Sequence, residues 1–325
     1  MSRMQDKKNQ PTTHVYVGID VSKLHLDVFI RPLGRKRQFN NDIAGIKKLI
    51  RQCRSDHVHL VAMEATGRYH RLAHQMLHEA NIDVAVVNPY RSRKFADAIG
   101  KLAKTDPIDA KVLADFAALL QPKPSQPPSR KQRALSDLNV ARRQVLAEIG
   151  TLKRQSHETD HPLATRHIRA RIKMCERHKF VLEQEIQNQI NAQENLKHRF
   201  DILTSIPGVG PATATTMITD LAELGQANSR EIAALAGLAP MNRDSGARSG
   251  PRIIRGGRKY VRNMLYMCAV GQSRREGFLG SFYRHLIKQG KNPKVALTAV
   301  MRKLVILANT LIAENRHWQP TPPVK

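Results

Sequence analysis

A chain of 325 residues with 54 Lys and Arg against 27 Asp and Glu carries a formal net charge of +27, which points to a polyanionic partner. The length exceeds one comfortable hydrophobic core, so more than one domain is expected. No uninterrupted apolar run approaches the roughly 18 residues of a membrane span and the polar start Met1–Pro11 lacks the core of a secretory signal, so a cytoplasmic protein without a membrane partner is expected.

After the polar residues 1–13 the text reads as strands: HVYVGID from His14, LHLDVFI with clear alternation, and RKRQFN, the last two joined across Pro32-Leu33-Gly34. Helical period follows at Ile43, Ile46, Leu49 and Ile50. VHLVAME is a buried strand, Leu72–Leu77 a helix and DVAVVNP another strand. This β-β-β-α-β-α-β order predicts a mixed sheet with helices on both faces over 14–122, its functional groups at strand ends. His70, His74 and His78 recur at i, i+4, i+8, and with no zinc-protease glutamate or cysteine beside them they read as a solvated helix face. A helix through Val112–Leu120 precedes QPKPSQPPSR, whose four prolines mark a linker or domain edge.

Leu135, Leu138, Val145, Ile149 and Leu152, then Ile168, Ile172, Cys175, Leu182 and Ile186 beyond His161-Pro162, fall at steps of three and four. Seams this narrow predict two long coiled-coil helices over 123–198, pairing within the chain or between chains, which makes an oligomer the expected state. From Phe200 to residue 316 the expectation is all helical, with helices at 212–224, 230–236, 260–273, 278–288 and 293–313 and an unstructured tail over 317–325. Cys53, Cys175 and Cys268 are too scattered for a disulfide framework or a CxxC zinc site and read as packing residues.

Two acids end apolar strands: Asp20 in VGID and Glu64 in VAMEATG. Each by itself fits a solvated strand cap as well as a cation ligand. Asp106 and Asp109 lie three apart in KTDPIDA, where Thr105 suits an N-cap and Pro107 the first turn, so helix capping and catalysis both account for the pair. Together the four are the ingredients of an oxygen-ligand site for two Mg²⁺ ions that act on a phosphodiester. SIPGVGPATA reads as a helix-hairpin-helix-like segment in which Gly208 and Gly210 can take positive φ and backbone N–H groups suit a phosphate. The segment 235–262 is flexible and cationic, with Arg243, Arg248, Arg252, Arg255, Arg258, Lys259 and Arg262 as candidate nucleic-acid contacts.

GID at Asp20, EATG at Glu64, Asn88-Pro89, KTDPIDA, IPGVG and LAGLAP together resemble the DEDD transposases and site-specific recombinases of bacterial insertion sequences, the Piv- and MooV-related, RNA-guided group. The resemblance covers nearly the whole chain. It implies a RuvC-like, RNase H-fold first domain, a coiled-coil middle and a helical transposase domain. It implies that Asp20, Glu64, Asp106 and Asp109 bind Mg²⁺ and that Ser245 attacks DNA and forms a covalent phosphoserine. It further implies donor and target DNA, a structured noncoding guide RNA, and a dimer or tetramer in which the serine and the carboxylates meet between subunits. The residues leave two other readings open: a hydrolytic RuvC-like junction nuclease using water, and a noncatalytic nucleic-acid-binding protein whose acids are caps. An ATPase beginning with a GID-type strand lacks a second phosphate loop here.

Overall fold

The computed structural model describes residues 14–65, 67–101, 106–241, 250 and 252–320, with the backbone alone at 106 and 107. Ser245, Arg243 and Arg248 lie outside the described residues, as does Thr105. The chain divides between Pro128 and Ser129 into two compact units.

The first unit is built on a five-stranded sheet. β1 (Val15–Val21), β2 (His25–Arg31) and β3 (Arg35–Asn40) form an antiparallel meander, α1 (Ile43–Ser55) follows, and β4 (Val58–Glu64) returns parallel to β1. α2 (His70–Glu79) then leads to β5 (Val84–Val87), parallel to β4, which gives the order β3-β2-β1-β4-β5. This mixed sheet has the element order that the alternating apolar pattern predicts. Period-two burial separates the faces. Val17, Ile19, Val28, Ile30, Val61 and Met63 pack on Ile46 and Leu49 of α1 and Leu77 of α2. Tyr16, Leu60, Ala62 and Ala85 on the opposite face pack on α4 (Asp106–Leu120) through Leu113, Phe116 and Ala117.

Between β5 and α4 lies a helix that the periodicity did not reveal, α3 (Pro89–Ala98). The signal was local: Asn88 accepts a hydrogen bond from the Tyr90 amide, and Pro89 fills the first helical position. Phe95 of α3 meets Phe116 of α4 edge-on, with centroids 5.3 Å apart. The proline-rich stretch is held against the sheet. The Ser125 amide donates to the Val84 carbonyl at 2.8 Å and the Val86 amide donates to Ser125 Oγ at 3.1 Å, so this segment covers the open edge of β5. His74 corrects the solvated-face reading, because its ring is buried and its Nε2 lies 2.7 Å from the Ser125 carbonyl. Burial lowers its pKa, the Ser125 contact opposes this and His78 adds to it.

In the second unit α5 (Arg130–His157) begins on a capping box between Ser129 and Gln132, and α6 (Pro162–Asn191) turns back along it. The ion pairs Arg142–Glu183 (2.8 Å) and Glu148–Arg171 (3.1 Å) converge on the connecting turn, so the pair is antiparallel and within one chain. Ile149, Leu152 and Cys175 are buried in its seam. The remaining elements are α7 (Glu194–Ser205), α8 (Pro211–Asp220), α9 (Ser229–Leu235), β6 (Pro240–Met241), β7 (Ile253–Ile254), α10 (Lys259–Ser273), α11 (Phe278–Lys288) and α12 (Pro293–Ala313). The two short strands correct the all-helical expectation: β6 and β7 pair antiparallel, Pro240 opposite Ile254, at the base of the cationic segment.

By length and composition α12 could cross a membrane, although Arg302 and Lys303 interrupt its apolar run. Its Ala296, Leu297, Val300, Met301, Leu304, Val305, Ala308 and Leu311 are buried among the helices of this unit. A central core helix is apolar on several sides for the same reason that a membrane span is. Nor is the start of the tail loose, since the Trp318 amide donates to Ser205 Oγ at 2.8 Å and its ring packs on the core. All three cysteines are buried free thiols, and burial, then the charge of Asp56, pushes Cys53 up to about 12.

Candidate active site

The first unit gathers its acids by strand register. Ile19 pairs with Met63 in the parallel β1–β4 ladder, so Asp20 and Glu64 are the next residues along their strands. Side chains alternate faces, and Gly18 and Ala62, two residues earlier, lie on the face that α4 covers. Asp20 and Glu64 therefore lie at the strand C-termini on that same face. Both are half-buried.

The direction of α4 supplies the other two positions. Gln121, just past its C-terminus, donates to Tyr16 Oη at 3.2 Å near the start of β1, whereas Ala110 and Ala114 cross Gly18. The helix thus runs antiparallel to β1, and its first turn, with Asp106 and half-buried Asp109, lies toward the ends that carry Asp20 and Glu64. Gly18 permits this approach. A Cβ there would collide with the Ala110 carbonyl oxygen and the Ala114 amide nitrogen, both backbone atoms. Ala114 and Ala110 also pack on Phe29 of β2, and Arg31 forms an ion pair with Asp115, so α4 is fixed on two strands.

Two groups at this end escaped the sequence. Asp27 of β2 stands directly opposite Asp20 and accepts from Gln38 Nε2 at 2.9 Å. Ser92 of α3 is buried and its Oγ donates to Glu64 Oε2 at 2.9 Å. Asn88-Pro89 could have disclosed the helix, but only the folded sheet brings Ser92 to Glu64. Among the described residues no three His, Cys, Asp or Glu side chains form a ready metal cluster, and the side chain of Asp106 is not among them. Hard carboxylate oxygens from strand ends and a facing helix nonetheless suit a divalent cation such as Mg²⁺.

In the second unit the candidate phosphate contacts separate by what they touch. Gly208 takes φ +82° and abuts Gln272 of α10, where a Cβ would collide with the side chain, while Gly210 has φ −84° and caps α8. Arg258 donates to both carboxylate oxygens of Glu223, at 2.5 and 2.7 Å, and Arg262 donates to the Gly256 carbonyl at 2.5 Å. These two cations brace the base of the β6–β7 segment. Arg252, Arg255 and Lys259 are exposed.

Burial by itself raises the Glu223 carboxyl, but the hydrogen bonds and charge of Arg258 outweigh it and hold the group below its usual value. Stability from this pair is therefore present above the ordinary carboxylate range and lost as pH falls through the depressed folded value. The two side chains are 35% and 40% exposed, so Arg258→Gln should cost only about 1 kcal/mol. The sharper result is the titration of Glu223 by carbon-13 NMR, which should rise in that variant because the charge of Arg258 no longer opposes burial and only a backbone hydrogen bond still does. An unmoved titration would mean that the pair does not form in solution.

Comparison with known proteins identifies the family. The DEDD_Tnp_IS110 model, described as a transposase, matches residues 17–159, and the model of the transposase IS116/IS110/IS902 family matches residues 200–284. The pilin gene-inverting proteins of Moraxella bovis and Moraxella lacunata are 30% and 29% identical, each over 93% of this chain and 97% of the relative. T. thermophilus RuvC, solved in complex with a Holliday junction substrate, is 13% identical with a TM-score of 0.26, over 34% of this chain and 99% of that one. The chain belongs to the IS116/IS110 family of DEDD transposases, enzymes of DNA strand transfer.

Proposed function

We propose that this transposase cuts and rejoins DNA through a covalent serine intermediate, with Asp20, Glu64, Asp106 and Asp109 holding two Mg²⁺ ions. The observation that carries the reading is the convergence of the first turn of α4 on the strand ends bearing Asp20 and Glu64. Bound divalent ions would supply charge neutralisation at the phosphodiester. The four carboxylates would hold those ions at the strand ends, and Ser245 Oγ attacks phosphorus. One serine O–P bond forms and one P–O bond of the DNA strand breaks, and the serine proton passes to the departing DNA oxygen. Attack by a DNA hydroxyl reverses the exchange and restores the serine. Bond energy is retained throughout, so no nucleotide cofactor is needed.

Donor and target DNA are the substrates in this reading, which accords with relatives named for inverting a pilin gene. A structured noncoding RNA supplies sequence choice. A net charge of +27 with 5% aromatic residues suits a protein that holds backbones and leaves base reading to pairing. The working assembly is a dimer or tetramer. Denaturing electrophoresis of the full chain with labelled element-end DNA, flanking RNA and Mg²⁺ tests the scheme. A slow protein–DNA adduct should form, and Asp20→Asn or Glu64→Gln should reduce it by about 10²–10³-fold. An adduct that persists in chelator and in both variants would remove the carboxylates from the chemistry.

A further inference from the structure

The geometry points to Ser92 as a positioning residue for Glu64, one that holds the carboxylate in the orientation that receives a divalent cation. This rests on the reading that Glu64 is a metal ligand. Ser92 is 5% exposed, and its Oγ lies 2.9 Å from Glu64 Oε2 and 3.0 Å from the Pro89 carbonyl. A serine in a first helical turn often bonds only to the carbonyl three residues back. Here its single proton has two acceptors, and the carboxylate is the stronger, a charge-assisted bond being roughly twice a neutral one. Oε1 of Glu64 has no protein hydrogen bond among the described residues. One oxygen is thus tethered and the other is left to bind.

The local sequence sets this up. Glu64 pairs with Val87 in the β4–β5 ladder, so the chain leaving β5 turns into α3 beside Glu64. The Asn88 cap and Pro89 fix where the helix starts and hence that its fourth residue, Ser92, sits at the carboxylate. Asn88-Pro89 would owe its place in the sequence to this alignment. Partners of this kind typically account for 10- to 100-fold in metal affinity, because an untethered glutamate samples rotamers that cannot bind.

The test is Mn²⁺ binding to the full-length protein, followed by the electron paramagnetic resonance of the free ion, for the wild type, Ser92→Ala, Ser92→Thr, Glu64→Gln and the double variant Ser92→Ala/Glu64→Gln. Ser92→Ala should weaken binding about ten-fold and Ser92→Thr, which keeps the hydroxyl, should recover most of it. The double variant should bind no worse than Glu64→Gln, since a residue acting through Glu64 has nothing left to act on. If Glu64→Gln loses Mn²⁺ while Ser92→Ala binds as the wild type does, or if the two losses add, Ser92 has no positioning role although the carboxylate site stands. If the wild type and Glu64→Gln bind alike, the carboxylate reading fails and this inference fails with it.

Discussion

Ser245→Ala is expected to abolish the covalent protein–DNA adduct, a fall of about 10⁴-fold or more, while leaving folding and DNA retention intact. An alanine removes the attacking oxygen and nothing else. Residue 245 falls between β6 and β7, in a segment whose base is braced by Arg258 and Arg262. The fold of the second unit is set by α12 and its neighbours and so should not register the change. Electrophoresis under denaturing conditions separates three outcomes. Loss of both cutting and adduct in Ser245→Ala supports the serine mechanism. Undiminished cutting without adduct, in variant and wild type alike, assigns the nucleophile to water and makes the protein a hydrolytic nuclease. An adduct of undiminished yield in Ser245→Ala would place the covalent bond on another residue.

How much of this was legible in the sequence depends on which physical signal each feature carries. Four of the five strands were readable because each buries one or both faces, as before Asn88, whereas β3, which buries neither, was readable only from the turn at Pro32–Gly34 that pairs it with β2. The strand-end positions of Asp20 and Glu64 followed from the same pattern. β6 and β7 were missed because two exposed residues have no alternation to show. His74 was misread because its burial comes from a linker residue 51 positions away, which helical spacing cannot anticipate. Ser92 was invisible for a related reason, since a serine has no distinctive chemistry until the β4–β5 register brings it to Glu64. Ser245 differs again: composition marks its surroundings as cationic and loop-like, and only the resemblance singles it out.

Gly18→Ala should do nearly as much damage as removing a carboxylate, although it touches no reacting atom. Glycine in the middle of a buried strand weakens the strand, so its presence signals a close backbone approach. Here the approach is that of α4, whose Ala110 carbonyl and Ala114 amide occupy the space of a Cβ. Neither obstacle is the tip of a flexible side chain, and neither can yield without moving the helix axis. Arg31–Asp115 and the packing of Phe29 on Ala110 and Ala114 resist that movement. The expected cost is about 3 kcal/mol, at the upper end for overpacking because backbone must shift. What remains folded should have lost adduct formation, since a helix lifted from β1 carries Asp106 and Asp109 away from Asp20 and Glu64, and displacements near 1 Å already cost about 100-fold. Urea unfolding and the electrophoretic assay on the same preparation check both halves. A variant with the wild-type midpoint and wild-type adduct yield would show that α4 does not rest on Gly18, and the four-carboxylate arrangement would lose its structural basis.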